Sequence, residues 1–426
     1  MVAGIVPLIR HLYSLFFYLA LPFIFLRLFW RSLKEASYRE NLLQRLGFGA
    51  PIDSDKLIWI HAVSAGETIA AVPVARRLLA KGYDLLLTNM TPTGRERVSA
   101  LLGSDVENRY APYDTPGALA RFLRRTKPVA LIIIDTELWP NMLHYASARG
   151  VKTILVNGRL SEKSARGYGK ISSLSRPMME ALFRVAAQSE TQGTRFVALG
   201  LDPQRLLITG STKFDVEHEG YPNAVSDFLS PGLRNRFVLV AASTHPGEES
   251  LVLSVLDQLK IHIPEILLVL APRHPHRADA IFKECVQQNF TTQKHSDGNV
   301  CAESTSIYLL DTMGELMAFY GMANVAFVGG SLVPVGGHNP MEPASFGVPV
   351  LMGPYLRNVQ DIAQQFIDEG AMKLVSSGDE FGNEIRLIYE SKSEMAIRTE
   401  ATKRVMERNK GALDRVEQMI VEALGT

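Results

Sequence analysis

Leu57–Ile60 reads LIWI, and His61–Glu67 continues it as HAVSAGE before the helical-looking run TIAAVPVARRLLAKG. Four apolar residues in a row, with β-branched and aromatic members, suit a strand buried on both faces, as parallel sheets require. Parallel neighbours need a crossover, most often a helix, so strand, short polar loop and helix form one repeating unit. The unit recurs. YDLLLTNM, VALIIID, KTILVNG, RVAAQS and RLLITG read as further strands, separated by amphipathic stretches such as TPGALARFLRRTK. A second series begins at Phe237: FVLVAAS, EILLVLAPR, SIYLLD, VAFVGGS and VPVLMGP. The sequence therefore predicts an α/β protein of two Rossmann-like, doubly wound domains in series. The stretch EGYPNAVSDFLSPGLRN (Glu219–Asn235) breaks the pattern with Pro and Gly, which places the first domain at 41–220, a linker at 221–235 and the second domain, with terminal helices, at 236–426. A length of 426 residues also suggests two cores. Ligands in such sheets bind beyond the carboxyl ends of strands, so a cleft faced by both domains is the expected site.

Composition narrows the classes. With 46% hydrophobic and 21% charged residues the chain is globular, and 45 basic against 44 acidic residues give a net charge of +1, which offers nucleic acid no general electrostatic attraction. Cys285 and Cys301 suit a reducing compartment and form neither a zinc nor a disulfide framework. Residues 1–40 differ from the rest. Leu12–Leu26, LYSLFFYLALPFIFL, carries no charge, and Leu28, Phe29 and Trp30 extend it past Arg27. No small-residue cleavage site follows, and the aromatic density argues against a core helix, so the segment reads as an uncleaved membrane anchor, either spanning or lying in the interface. Arg27, Arg31, Lys34, Arg39 and Arg45 follow it against Arg10 before it, which puts the remainder on the cytoplasmic side.

The predicted strand ends carry the chemistry. Glu137, Trp139 and Asn141 follow LIIID; Arg159, Ser161, Lys163 and Ser164 follow ILVNG; Lys213 follows ITG. In the second half, VAFVGG leads through Gly336, Gly337, His338, Asn339 and Pro340 into PMEPASFG. Glycines allow close approach of a phosphate, a helix N-terminus offers free N–H groups, and Glu342 could accept from both hydroxyls of a ribose. A plain turn with a capping carboxylate is the alternative. No Walker A or GxGxxG pattern is present. DTMGEL pairs Thr312 with Glu315 as a T-x-x-E capping box, with ligand contact an equal alternative. APRHPHR gathers Arg273, His274, His276 and Arg277; no third ligand has metal spacing, so an anion-binding arginine is the better reading.

Taken in order, HAVSAGE, TELWPN, NGRLSEKSARGY, GSTKFD, APRHPHR and GGHNPMEPA resemble the motifs of Kdo transferases, the inner-membrane enzymes that move 3-deoxy-D-manno-octulosonic acid (Kdo) from CMP-Kdo to the lipid A precursor. The resemblance runs nearly end to end and includes ASYRENLLQRLGFG after the anchor. Ala65 stands where Val or Ile is common, and Met341 where Leu is common, both apolar exchanges. The resemblance implies the GT-B fold and a bacterial inner-membrane enzyme working on the cytoplasmic side. It makes Glu67 the proton acceptor, with Glu137 and Lys213 supporting the transition state. It assigns CMP to Pro272, Arg273, Met313, Gly314, Glu315, Asn339, Pro340, Met341 and Glu342. The partners so implied are CMP-Kdo, the lipid A precursor and the membrane. A donor with one phosphate and a carboxylate needs little cation and no Asp-x-Asp motif is present, so no obligatory metal or other cofactor is expected. Two alternatives remain: another GT-B transferase or epimerase using a UDP-sugar, and a membrane-tethered nucleotide-binding protein without turnover.

Glu67 answers to physics as well as resemblance. An acceptor hydroxyl must lose its proton as it attacks an anomeric carbon, and a carboxylate of adjusted pKa can take it. Gly66 would keep side chains clear of the sugar. The competing reading is a first-turn glutamate interacting with the helix dipole.

Overall fold

The computed structural model of the chain describes residues 5–33, 36–215, 236–298 and 300–425. The linker expected at 221–235 lies outside the described residues. The chain forms two compact units, Met1–Asp215 with Lys410–Thr426, and Val216–Asn409.

The first unit is built on β1 (Leu57–His61), β2 (Asp84–Asn89), β3 (Glu107–Tyr110), β4 (Ala130–Ile134), β5 (Lys152–Gly158), β6 (Arg184–Ala187) and β7 (Leu206–Ile208). These pair in the order β3-β2-β1-β4-β5-β6-β7, all parallel. Successive side chains of β1 face opposite layers: Ile58 and Ile60 join one core, Leu57 and Trp59 the other. Double-sided burial explains the unbroken LIWI run, each such side chain contributing roughly 1.5–3 kcal/mol.

The second unit contains β8 (Phe237–Thr244), β9 (Ile266–Pro272), β10 (Thr292–Lys294), β11 (Ile307–Leu309), β12 (Val325–Val328), β13 (Val350–Met352) and β14 (Met372–Leu374). Their order is β10-β11-β9-β8-β12-β13-β14, again parallel throughout. Strands β3, β10 and β14 were absent from the sequence reading. All three are sheet edges, where one side lacks a neighbour and a polar segment such as ENRY or TQK suffices.

The C-terminal end corrects the expected domain boundary. The helix Ala412–Leu424, assigned by sequence to the second domain, belongs to the first unit. Its Leu413, Val416, Met419 and Ile420 are buried in the same core as Ile58 and Ile60. Asp215 accepts from the N–H groups of Gly411 (2.7 Å) and Leu413 (2.6 Å), satisfying the start of that helix. Arg77 pairs with Asp414 and Glu417 alongside it.

The apolar N-terminal segment is the helix α1 (Ile5–Ser32), of which Leu8–Ser32 is long and apolar enough to cross a membrane, with a mean hydropathy of 1.9. Leu8, Leu12, Leu15, Leu19, Phe23, Leu26 and Trp30 are exposed and recur every three or four residues, forming one stripe. The other face is docked on the first unit. Arg10 donates to Asn141 Oδ1 (3.1 Å), Ser14 is buried against Asn141, the Tyr18 hydroxyl accepts from Gly117 N (3.0 Å), and Phe17 and Phe25 pack on Tyr113.

Candidate functional site

Strand order reverses direction between β1 and β4 in the first unit, and loops leaving such a pair diverge and open a crevice. Glu67 follows β1 and Glu137 follows β4, so the two carboxylates expected from sequence flank that point.

Glu67 lies in the first turn of α2 (Ala65–Ala80), whose N-cap is Ser64. Its carboxylate accepts from Val63 N (2.5 Å) and from the Ser64 hydroxyl (3.1 Å), while Ser64 Oγ accepts from Glu67 N (3.4 Å). This is a variant of the capping box, with the backward reach going to the residue before the cap. The capping role and the proposed chemical role therefore coexist. Burial pushes the Glu67 carboxyl up to about 7; its bonds to Val63 and Ser64 oppose the rise, and the charges of Glu137 and Asp135 add to it. Gly66 has no left-handed φ, and a Cβ there would meet nothing closer than Ser64 Oγ at 3.9 Å. The fold itself does not require glycine at that position.

Glu137 is held from behind by a buried column. Trp59 Nε1 donates to Thr88 Oγ1 (2.8 Å), and that hydroxyl lies 3.0 Å from His61 Nδ1. Burial drives His61 down to about 3, so the ring is neutral. It packs edge-on against Trp139, centroids 4.7 Å apart, and Trp139 Nε1 donates to Glu137 Oε2 (3.0 Å).

Lys213 sits in a single 3-10 turn, Thr212–Phe214, capped by Ser211. Its Nζ is 4.0 Å from Asp135 Oδ2, and Asp135 Oδ1 accepts from Asn157 Nδ2 (2.5 Å). Asp135 directly follows β4 and Asn157 is the penultimate residue of β5, both in left-handed backbone, φ 59° and 60°. Sequence reasoning passed over both, though Asp and Asn closing apolar runs are the residue types that tolerate that conformation. Other candidates serve structure: Asn141 docks α1, and Ser161 accepts from Ser164 N (3.1 Å) at a helix start.

In the second unit the strand order reverses between β8 and β12. Pro272 ends β9, and Arg273 beside it is exposed, its N–H donating to Thr244 O (3.0 Å). Arg277 is committed to Glu249 through two bonds of 2.7 and 3.3 Å, leaving Arg273 as the anion-binding candidate of its motif. After β12 the chain turns at Gly330, Gly336 and Gly337, all at positive φ. A Cβ on Gly330 would lie 2.9 Å from the His338 ring. The fully buried Glu248 organises this region: its carboxylate accepts from the N–H groups of His245, Gly330, Ser331 and Leu332 at 2.8–3.0 Å. His245 and His338 share a hydrogen bond between their Nε2 atoms (2.8 Å); burial lowers both, His338 to about 4.

Asn339 Oδ1 accepts from Met341 N (3.1 Å), and Asn339 Nδ2 donates to Glu342 Oε1 (3.3 Å). The helix expected after Pro340 is one turn, Met341–Ala344, so the dipole available to a phosphate is that of a single turn. Burial raises the Glu342 carboxyl. The capping box expected of Thr312 and Glu315 is not formed. The helix starts only at Leu316, with Glu315 as its N-cap, because exposed Met313 and left-handed Gly314 precede it. Thr312 instead donates to the Glu315 carboxylate, which also meets His295 Nε2 (3.1 Å), and both contacts hold that carboxyl below its usual range. Among the described residues no group of three or more His, Cys, Asp or Glu side chains is placed to hold a metal ion.

Residues 40–216 match the family described as 3-Deoxy-D-manno-octulosonic-acid transferase (kdotransferase). A 3-deoxy-D-manno-octulosonic acid transferase of Haemophilus influenzae is 35% identical over 396 residues, covering 91% of this chain and 92% of that protein. The chain belongs to the Kdo transferase family. The Bordetella pertussis transferase is also 35% identical, over 80% of this chain and 82% of its own length. The Kdo transferase shares its fold with a UDP-GlcNAc 2-epimerase from Neisseria meningitidis: TM-score 0.56, 13% identity, 86% of this chain and 99% of that one. Its two parallel seven-stranded sheets are therefore GT-B-like, and it is a Kdo glycosyltransferase with one apolar helix able to serve as an anchor.

Proposed function

We propose that this Kdo transferase moves Kdo from CMP-Kdo to the lipid A precursor with inversion, Glu67 acting as general base. The single observation that carries the assignment is the placement of Glu67 at the first unit's crevice with its carboxyl near 7, where it can take a proton at neutral pH. The acceptor hydroxyl gives its proton to Glu67 Oε as its oxygen bonds to the anomeric carbon of Kdo. The bond from that carbon to the phosphate oxygen breaks, and CMP leaves with the electron pair. Positive charge builds at the carbon, where Glu137 is suited to stabilise it; Lys213 is suited to the Kdo carboxylate or the leaving phosphate.

The nucleotide is assigned to Pro272, Arg273, Met313, Gly314, Glu315, Asn339, Pro340, Met341 and Glu342 of the second unit. The exposed Arg273, the glycine turns and the half-buried Glu342 support that reading. A monophosphate donor with a carboxylate needs little cation, so the reading includes no obligatory metal. The apolar α1 supports a place at the bacterial inner membrane, with the Arg-rich flank after it on the cytoplasmic side. Incubating the full chain with CMP-Kdo and lipid A precursor, with and without EDTA, and weighing the product tests the proposal. A mass increase of one or more Kdo residues in both samples is expected; no product from CMP-Kdo, or product only without chelator, sinks the corresponding part.

A further inference from the structure

A cavity of about 320 Å³ lies beneath α1 and beyond the ends of β2 and β4. Three arginines line it: Arg27 and Arg31 from α1, both exposed, and Arg45 from the short turn Leu42–Leu46. Arg45 is 1% exposed. One of its terminal nitrogens donates to Met90 O (3.1 Å), its guanidinium carbon stands 3.9 Å over the Tyr110 ring, and its Nε has no partner. No carboxylate among the described residues comes within ion-pair distance of it. Asp114 also lines the cavity, but its carboxylate accepts from Asn141 N (3.1 Å), Met142 N (2.7 Å) and the Tyr13 hydroxyl. Removing a guanidinium from water without a counter-charge is costly, so the site favours an anion. Guanidinium groups pair best with phosphate and carboxylate oxygens, in a forked geometry.

The walls narrow the ligand further. Phe17 and Tyr113 present aromatic surface inside the cavity, and the exposed aliphatic stripe of α1 runs along the same helix. Trp139 also lines the cavity, and its indole nitrogen donates to Glu137. An occupant therefore has an anionic group among the arginines, an apolar part beside α1, and a further part next to Glu137.

We propose that this cavity binds the phosphorylated sugar head of the glycolipid acceptor, with Arg27, Arg31 and Arg45 pairing with one phosphate group. The assignment rests on the acceptor reading given above. Anionic phosphate oxygens are also offered by the diester heads of bulk anionic phospholipids, and the test separates the two sources.

The full chain in neutral, nonionic micelles is assayed with lipid A precursor and with the same lipid after phosphatase treatment. Two variants are compared with the wild type: Arg27→Ala with Arg31→Ala, which removes only exposed cations, and Arg45→Lys, which keeps charge but loses the fork. For the phosphorylated acceptor both should raise KM about tenfold or more, the scale of a lost charge-assisted bond. For the dephosphorylated acceptor KM should change less than about twofold, and the CMP-Kdo KM should stay unchanged for both. Equal effects on the two acceptors, or none on either, overturn the inference. So does a double variant that escapes inhibition by phosphatidylglycerol vesicles while keeping the wild-type KM for the phosphorylated acceptor, because its arginines would then serve the bilayer. If the wild type transfers to neither lipid, the acceptor reading itself fails. Direct titration of phosphorylated lipid into wild type and double variant then still judges the cavity, with about tenfold weaker binding expected of the variant and equal binding overturning the inference.

Discussion

The reversal points of the two sheets have the same topology and opposite chemistry. Between β1 and β4, burial raises Glu67 to about 7, and the charges of Glu137 and Asp135, of which Lys213 pairs only the last, add to the rise. Between β8 and β12, the carboxylate of Glu248 is spent on four backbone N–H groups and the histidines are held neutral. The first arrangement leaves a titratable group unsettled near neutral pH, which suits proton transfer. The second fixes a backbone surface of glycine turns. A shared fold thus says where a site lies, and the degree to which its charges are satisfied says what it can do.

Four substitutions break or sharpen the contrast. Glu67→Gln should lower Kdo transfer by about two to four orders of magnitude, the usual contribution of a general base. CMP binding should hardly change, since the residues proposed for the nucleotide lie in the other unit; a near wild-type rate would pass the role to Glu137. Stability adds a signed check. A carboxyl whose pKa is raised on folding stabilises below the ordinary carboxylate range and loses that contribution as pH climbs through about 7. Thermal unfolding of Glu67→Gln should therefore gain on wild type from pH 5 to pH 8.

Glu248→Ala strands four buried donors and should cost about 3–5 kcal/mol of unfolding free energy, with CMP binding lost alongside. Unaltered denaturant midpoints would show that the loops hold themselves. Glu342→Ala should weaken CMP binding by about 1.5–3 kcal/mol if its carboxylate accepts from a ribose, whereas a cap alone would leave the dissociation constant in place. Trp139→Phe is the gentlest: it keeps the ring on His61 and deletes the bond to Glu137, worth about 1 kcal/mol or roughly fivefold in rate. As Glu137 drifts, the acid limb of the pH–rate profile should move from near 7 toward the ordinary carboxylate range. A lower rate with an unmoved limb would limit Trp139 to packing.

Much of this was legible in the sequence, for reasons that also mark where legibility ends. Central strands announce themselves because both faces are buried, as in LIWI and ALIII; the edges β3, β10 and β14 have no such signature. Glu67, Glu137 and Lys213 were visible as polar residues closing apolar runs, and the fold gathers them at or beside one crevice. Asp135, which ion-pairs Lys213, was not chosen because nothing local distinguishes a strand's last residue from the loop's first. The column from Trp59 to Glu137 joins three segments, and no spacing rule links Thr88 to His61. The capping box read at Thr312 and Glu315 does not form because left-handed Gly314 delays the helix start, and Glu315 meets His295, 20 positions upstream, which no local pattern announces.

The helix Ala412–Leu424 has a consequence for the order in which the protein is made. The second unit owns a continuous stretch of chain, so its core is complete as soon as that stretch leaves the ribosome. The first unit, begun earlier, waits for a helix translated after the whole of the second unit, because Leu413, Val416, Met419 and Ile420 fill the layer over Ile58 and Ile60. Until then that layer stands open, an apolar groove on a nascent chain whose N-terminal helix is apolar as well. A stop at the start of this helix leaves the whole second unit intact, yet it strikes the half of the molecule that was synthesised first.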